Sequence, residues 1–181
     1  MWIDAVLNDY ILLQQFICKP PEEVKMTKLH TYSTEVTWTG AKDEGTKTYR
    51  SYERSYDISI DGKATIKGSS DPAFRGDPTC HNPEDLLVAS ASSCHMLWYL
   101  HYCSINKIIV KTYTDKAEGV MSEAKDGSGR FEKITLRPVI TVEDGADMEK
   151  AMALHHDANK ACFIANSLTC PIEHEATITL A

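Results

Sequence analysis

At 181 residues the chain has the length of one well-buried domain and is short for two. Its net charge of -7, with no stretch that concentrates Lys and Arg, argues against a nucleic-acid backbone or an anionic membrane surface as partner. The composition, 43% apolar and 25% charged, is that of an ordinary globular protein, and no run of about 18 apolar residues offers a membrane span.

Ile3, Leu7, Tyr10, Leu13 and Ile17 recur at helical spacing until Lys19-Pro20-Pro21 ends the pattern. Residues 1–28 are therefore expected to be an N-terminal extension carrying an amphipathic helix. Asp4 and Asp9 interrupt its apolar run and no basic segment or cleavage site accompanies it, so it reads poorly as a signal peptide. Met26 offers an alternative start, which would make residues 1–25 an appendage.

From residue 29 onward one domain is expected to reach Ala181. Thr31 to Gly40 alternates, with Tyr32, Thr34, Val36 and Trp38 on one side, which predicts a half-buried strand. Lys42 to Gly45 reads as a turn and Thr48 to Asp61 as a second strand region. Residues 63–81, with Asp71-Pro72 and Arg75-Gly76-Asp77-Pro78, read as a long ordered loop of functional character.

The strongest helix follows, from Asn82 to about Ile105. Asn82 suits the N-cap, Pro83 the first helical position, and Glu84 and Asp85 complement the helix dipole. Apolar or small residues on nearly every side predict a central helix wrapped by its neighbours. Three strands in a meander come next, with Asp126-Gly127-Ser128-Gly129 as a hairpin turn. A second helix is expected from Asp147 to Ser167, with His155 and Cys162 on one face, then a final strand over HEATITLA. This order predicts an α+β domain whose helices pack on a largely antiparallel sheet.

Six cysteines without a signal peptide point to a reducing, cytoplasmic setting, where cysteines are more often catalytic, metal-binding or buried than disulfide-bonded. No CxxC pair occurs, which removes the main support for a zinc ribbon or a thioredoxin-type motif. Cys94 and Cys162 each lie among small residues in a helix. The plain alternative is that both are small buried hydrophobes. Reactivity needs a thiolate, and burial among apolar groups opposes it, so a reactive Cys94 requires a nearby cation. Arg75 is the candidate, with Glu84 available to hold it. Glu84 lies roughly 15 Å along the helix axis from Cys94, so an arginine must bridge them or Glu84 must come from a second subunit.

Asn82-Pro83-Glu84-Asp85-Leu86-Leu87 with Cys94 ten residues after the glutamate resembles the NPE(E/Q)L…C signature of the OsmC/Ohr family. Cys162-Phe163-Ile164-Ala165-Asn166-Ser167 resembles its second, late-helix cysteine. The resemblance covers about Thr31 to Ala181. It implies an OsmC-like fold assembled as an intertwined homodimer, with the two helices at its centre. It further implies a thiol-dependent peroxidase for organic hydroperoxides, with Cys94 peroxidatic, Cys162 resolving, Arg75 holding the thiolate and Glu84 orienting the arginine. No bound cofactor or metal is implied, only an external dithiol reductant, lipoyl-type in the Ohr branch. The early turn Lys42-Asp43-Glu44-Gly45 lacks the Ohr-branch arginine, so the chain is more similar to the OsmC branch. Phe163 after Cys162 and His95 after Cys94 depart from the pattern.

Two other readings compete with the enzyme. One is a binding protein that holds a small apolar ligand in the same pocket. The other is a Cys/His metal site, since His101 is seven residues after Cys94 and His155 seven before Cys162, although the spacing does not match closed zinc sites. Cys18, Cys80, Cys103 and Cys170 are expected to be structural or incidental, with Cys80, in the loop beside Arg75, open to oxidation as well.

Overall fold

The computed structural model describes residues 28–181. The expected N-terminal helix, Met26 and Cys18 lie outside the described residues. The fold is α+β, in two compact units that meet in sequence between Leu87 and Val88.

The unit ending at Leu87 contains β1 (Glu35–Trp38), β2 (Tyr56–Ser59) and β3 (Ile66–Gly68), antiparallel in the order β1-β2-β3. Both strand expectations here were too long. The alternation from Thr31 is real, but only four residues find a partner strand, pairing Val36 with Ile58 and Trp38 with Tyr56. All four are exposed, Val36 at 62%, which corrects the half-buried reading: alternation reports a period, not what covers it. Residues before Tyr56 turn instead of extending. The Gly45 N–H donates to Lys42 O at 2.8 Å, and the Ser51 hydroxyl donates to Gly45 O at 2.7 Å.

Helix α1 spans Pro83–Ile105, as the cap signals predicted. Asn82 Oδ1 accepts the Asp85 N–H at 2.7 Å, and the Asp85 carboxylate accepts the Asn82 N–H at 3.3 Å, so the two ends of the box satisfy each other. The helix stops where Lys107 turns left-handed (φ 61°). Ile108 N–H then reaches back to Cys103 O at 2.9 Å and Lys107 N–H to Ser104 O at 3.1 Å, a Schellman closure sealed by buried Ile108. The wrapped-helix expectation needs correction. Ala91, His95, Tyr99 and Cys103 form one buried stripe at four-residue spacing, while Leu97 is 63% and Ile105 62% exposed.

The unit from Val88 continues with β4 (Val110–Asp115), β5 (Glu118–Glu123), β6 (Gly129–Leu136) and β7 (Pro138–Val142). These do not form the expected meander. β4 pairs with β7 and β5 with β6, both antiparallel, making one long hairpin that turns at Gly127 (φ 84°), where Ala124 N–H donates to Ser128 O. The last strand is also split, into β8 (Ile172–His174) parallel to β6 and β9 (Thr177–Leu180) parallel to β7. Its register is continuous, from Ile134 opposite Ile172 to Val142 opposite Leu180. The orders β4-β7-β9 and β5-β6-β8 are therefore two halves of one three-stranded ladder, interrupted at Arg137. There Arg137 N–H donates to Asp115 Oδ1 at 2.6 Å instead of to a strand, and Pro138 has no N–H to give.

Helix α2 (Met148–Ala161) begins at Asp147, whose carboxylate accepts the Lys150 N–H at 2.9 Å. It buries Ala151, Leu154, His155 and Ala158 with Tyr99, Cys103, Ile140 and Val142. The expected helix to Ser167 breaks at Cys162, after which α3 (Phe163–Ser167) starts afresh. Cys162 thus sits at a corner in extended conformation (φ -65°, ψ 114°), not on a helical face. Its sulfur explains the break by accepting the Ala165 N–H at 3.4 Å as the cap of α3.

Candidate active site

Helix α1 and the α2–α3 corner bring Cys94 and Cys162 together. The two thiols are in hydrogen-bond contact, and five described cysteines, these two included, are free. The pair is asymmetric. Cys162 is 1% exposed, whereas Cys94 keeps partial access to solvent. Burial pushes the Cys162 thiol up to about 11, reinforced by its contact with Cys94 and opposed by the N–H groups of Ala165 and Ile164. At neutral pH Cys162 therefore holds its proton and offers it toward Cys94. One turn along α1, Trp98 meets Phe163 edge-on at 5.6 Å, so an aromatic pair flanks the two sulfurs and Phe163 stays 64% exposed.

Arg75 and Glu84 belong to the unit ending at Leu87. Arg75 follows a single 3-10 turn, Pro72–Phe74, capped by the Asp71 carboxylate on Ala73 N–H at 2.7 Å. It adopts a left-handed backbone (φ 68°, ψ 27°), a conformation costing about 1–2 kcal/mol for a residue with a Cβ. Its surroundings enforce that cost. Arg75 N–H donates to Pro72 O, and Gly76 N–H to Asp71 O, each at 3.0 Å. A Cβ on Gly76 would lie 1.5 Å from Ser70 O, so only glycine fits. The expected loop over residues 63–81 is only partly a loop, since β3 takes Ile66–Gly68 and this turn takes Pro72–Phe74; beyond them the Arg75 guanidinium lies 5.9 Å from the centroid of the Tyr49 ring. Tyr49 is also stacked by Arg54, whose guanidinium lies between Tyr49 and Tyr52 at 4.3 and 4.2 Å. Glu84 occupies the first turn of α1 beside Tyr56. Among the described residues it forms no ion pair with Arg75.

His95 and His155 are joined by a contact that neither helix pattern signals. His95 Nε2 and His155 Nδ1 are 3.0 Å apart, and the rings are 1% and 0% exposed. Tyr99 stacks on His155 at 4.0 Å, and His174 from β8 lies 5.6 Å from each imidazole. Burial, then His174, brings His95 down to about 4, with Asp115 pulling the other way. Burial, then His95 and His174, brings His155 down to about 3. Both rings are therefore neutral at pH 7 and share one proton. His95 Nδ1 and His155 Nε2 are left without partners, each buried unsatisfied group costing about 1–3 kcal/mol. Among the described residues, no group of three or more His, Cys, Asp and Glu side chains is arranged to hold a metal ion. His174 carried no sequence signal, because only the β6–β8 register brings it to these helices.

A cysteine pair between a buried-stripe helix and a helix corner, beside a bent ladder, defines an OsmC-like architecture. The family model for OsmC-like proteins matches residues 76–177, more than half of the chain, and the chain belongs to that family. An OsmC-like protein of unknown function from Vibrio cholerae O1 biovar eltor is 30% identical with a TM-score of 0.73, over 82% of this chain and 100% of its own. The organic hydroperoxide resistance protein of Elizabethkingia anophelis, with crystallant-derived thiocyanate bound, shares the fold at 21% identity and a TM-score of 0.62. That match covers 86% of this chain and 100% of the other. The organic hydroperoxide resistance protein OsmC of Legionella pneumophila shares it at 16% identity and 0.62, over 84% and 99%. A search of the curated proteins gave no match. No helix among the described residues is long and apolar enough to cross a membrane.

Proposed function

We propose that the chain is a thiol-dependent peroxidase that reduces organic hydroperoxides to alcohols. The observation that carries this reading is the Cys94–Cys162 contact, with Cys94 half-buried and Cys162 buried and protonated. The Cys94 thiolate attacks the terminal peroxide oxygen, an S–O bond forms as the O–O bond breaks, and the departing alkoxide takes a proton to leave as alcohol. Cys162 then attacks the Cys94 sulfenic acid, and a disulfide forms with release of water. An external dithiol, of lipoyl or other type, restores both thiols. Arg75 is assigned to hold the thiolate and stabilise the departing oxygen, and Glu84 to orient it. The strained, tightly enforced backbone at Arg75 supports a functional role for that side chain. The aromatic flank of Trp98 and Phe163 favours an apolar peroxide.

The wider assignment is a cytoplasmic homodimer with no bound cofactor. Residues 29–181 form the OsmC-like domain and residues 1–28 an extension. Two of the structures sharing this fold are named organic hydroperoxide resistance proteins, which agrees with the chemistry.

The test is peroxide consumption with a dithiol reductant, cumene hydroperoxide against hydrogen peroxide. The wild type is expected to turn over the organic peroxide faster, Cys94→Ser to abolish turnover, and Arg75→Met to lower it by about 100-fold, the scale of losing one transition-state donor. Binding of a small apolar ligand with slow or no turnover would favour the binding-protein reading instead.

A further inference from the structure

We propose that His95 and His155 are positioning residues, a buried latch whose hydrogen bond sets the approach of Cys162 to Cys94 and so governs disulfide closure. This rests on the peroxidase reading for its reaction, and on different atoms for its geometry.

His95 immediately follows Cys94 on α1, and Cys162 is the seventh residue after His155, at the end of α2. The 3.0 Å bond between His95 Nε2 and His155 Nδ1 therefore joins the two elements that carry the sulfurs. The latch on α2 lies roughly 10 Å along the helix axis from the corner. Latch and thiol contact are thus two separated points between the same elements, which restrain rotation as well as distance. The His155 ring cannot swing freely. Tyr99, one turn beyond His95 on the same buried stripe, lies against it at 12° and 4.0 Å, and His174 closes another side.

The chemistry explains why such a device matters. The sulfurs must pass from hydrogen-bond contact to a covalent bond of about 2.05 Å, in line with the departing oxygen. An apolar pair of similar volume would fill the core without direction. Two imidazoles that share one proton across a 3.0 Å hydrogen bond contribute direction. Peroxide attack on Cys94 needs no movement of α2, so the latch acts on the second step alone.

The experiment uses the full chain, quenched at short times after mixing with cumene hydroperoxide. Cys94 sulfenic acid is trapped with dimedone and the disulfide is read by mass. In His155→Leu the first step is expected to stay within about twofold while closure slows by about tenfold or more, the scale of a sub-ångström misplacement. The sharper comparison is His155→Asn against His155→Gln. Asparagine places a polar atom near the Nδ1 position and should restore most of the closure rate, whereas glutamine reaches past it and should not. Equal closure in the Asn and Gln proteins, or unchanged closure in a folded Leu protein, overturns the latch. Diamide oxidation of the dithiol separates the two claims. If peroxide leaves wild-type Cys94 untouched, the peroxidase reading fails, while the same ranking of variants under diamide still decides the latch.

Discussion

Cys162 and the histidine pair show how burial sets chemistry residue by residue. The proton on Cys162 is kept by desolvation, so the buried sulfur serves the reaction only after Cys94 has been oxidised beside it. The imidazoles carry a consequence for stability. His95 and His155 sit well below the ordinary 6.5, chiefly through burial. His174 is lowered too, Asp115 opposes the shift on His95, and Tyr99, Tyr113 and Cys103 stay neutral nearby. A lowered folded-state value means the unfolded chain binds these protons first as pH falls. The stabilisation is therefore complete above about pH 6.5 and is lost below it, at about 1.4 kcal/mol per pH unit for each histidine. Urea denaturation should show a midpoint that drops between pH 7 and pH 5, and a His95→Gln/His155→Asn protein should flatten that slope. An unchanged wild-type midpoint would contradict the neutral, buried pair. The two cysteines were legible in the sequence because their spacing from Asn82-Pro83-Glu84 and from Asn166-Ser167 is local. The histidine bond was not, since sixty residues separate its partners and nothing in either helix pattern orients one ring toward the other.

Among the elements, the start of α1 at Pro83 was legible because its signals are all local: Asn82, Pro83 and the acids of the first turn. The same reasoning overran at Cys162. Phe163-Ile164-Ala165 continues a helical pattern, no Gly or Pro interrupts it, and cysteine is not an expected cap, yet its sulfur takes the Ala165 N–H and turns the chain. The hairpin was legible from Asp126-Gly127, but the crossing of β6 into β7 at Arg137 was not, because Asp115 supplies the competing acceptor from a distant strand. For α2 the cap at Asp147 is the testable feature. Asp147→Ala removes the acceptor for Lys150 N–H and should lower stability by about 1 kcal/mol, read as a shift in denaturant midpoint with unchanged slope. A protein as stable as the wild type would mean that the packing of Leu154 and Ala158 carries α2 without its cap.

For the whole molecule, the α+β class followed from the alternation of strand and helix signals, and family membership from two short motifs. The open apolar side chains were not foreseen. Leu97 and Ile105 on α1 and Phe163 on α3 are 63%, 62% and 64% exposed. A helix apolar on several sides with only one stripe buried agrees with a second subunit covering it. Light scattering should accordingly give a dimer mass, and a monomer at assay concentration would remove the dimer from the account. Arg75 is the least local of the proposed site residues. The sequence marked its loop, while the stack on Tyr49 with Arg54 beyond had no signal, since aromatic and cationic residues in turns ordinarily lie free in solvent.

The central claim is that Cys94 and Cys162 form one redox pair. Peptide mapping by mass spectrometry after brief exposure to cumene hydroperoxide tests it most directly. The account predicts loss of two hydrogens and a Cys94–Cys162 cross-link, with Cys80, Cys103 and Cys170 still reduced. Unmodified thiols in excess peroxide, or a cross-link that leaves out either cysteine, would contradict it.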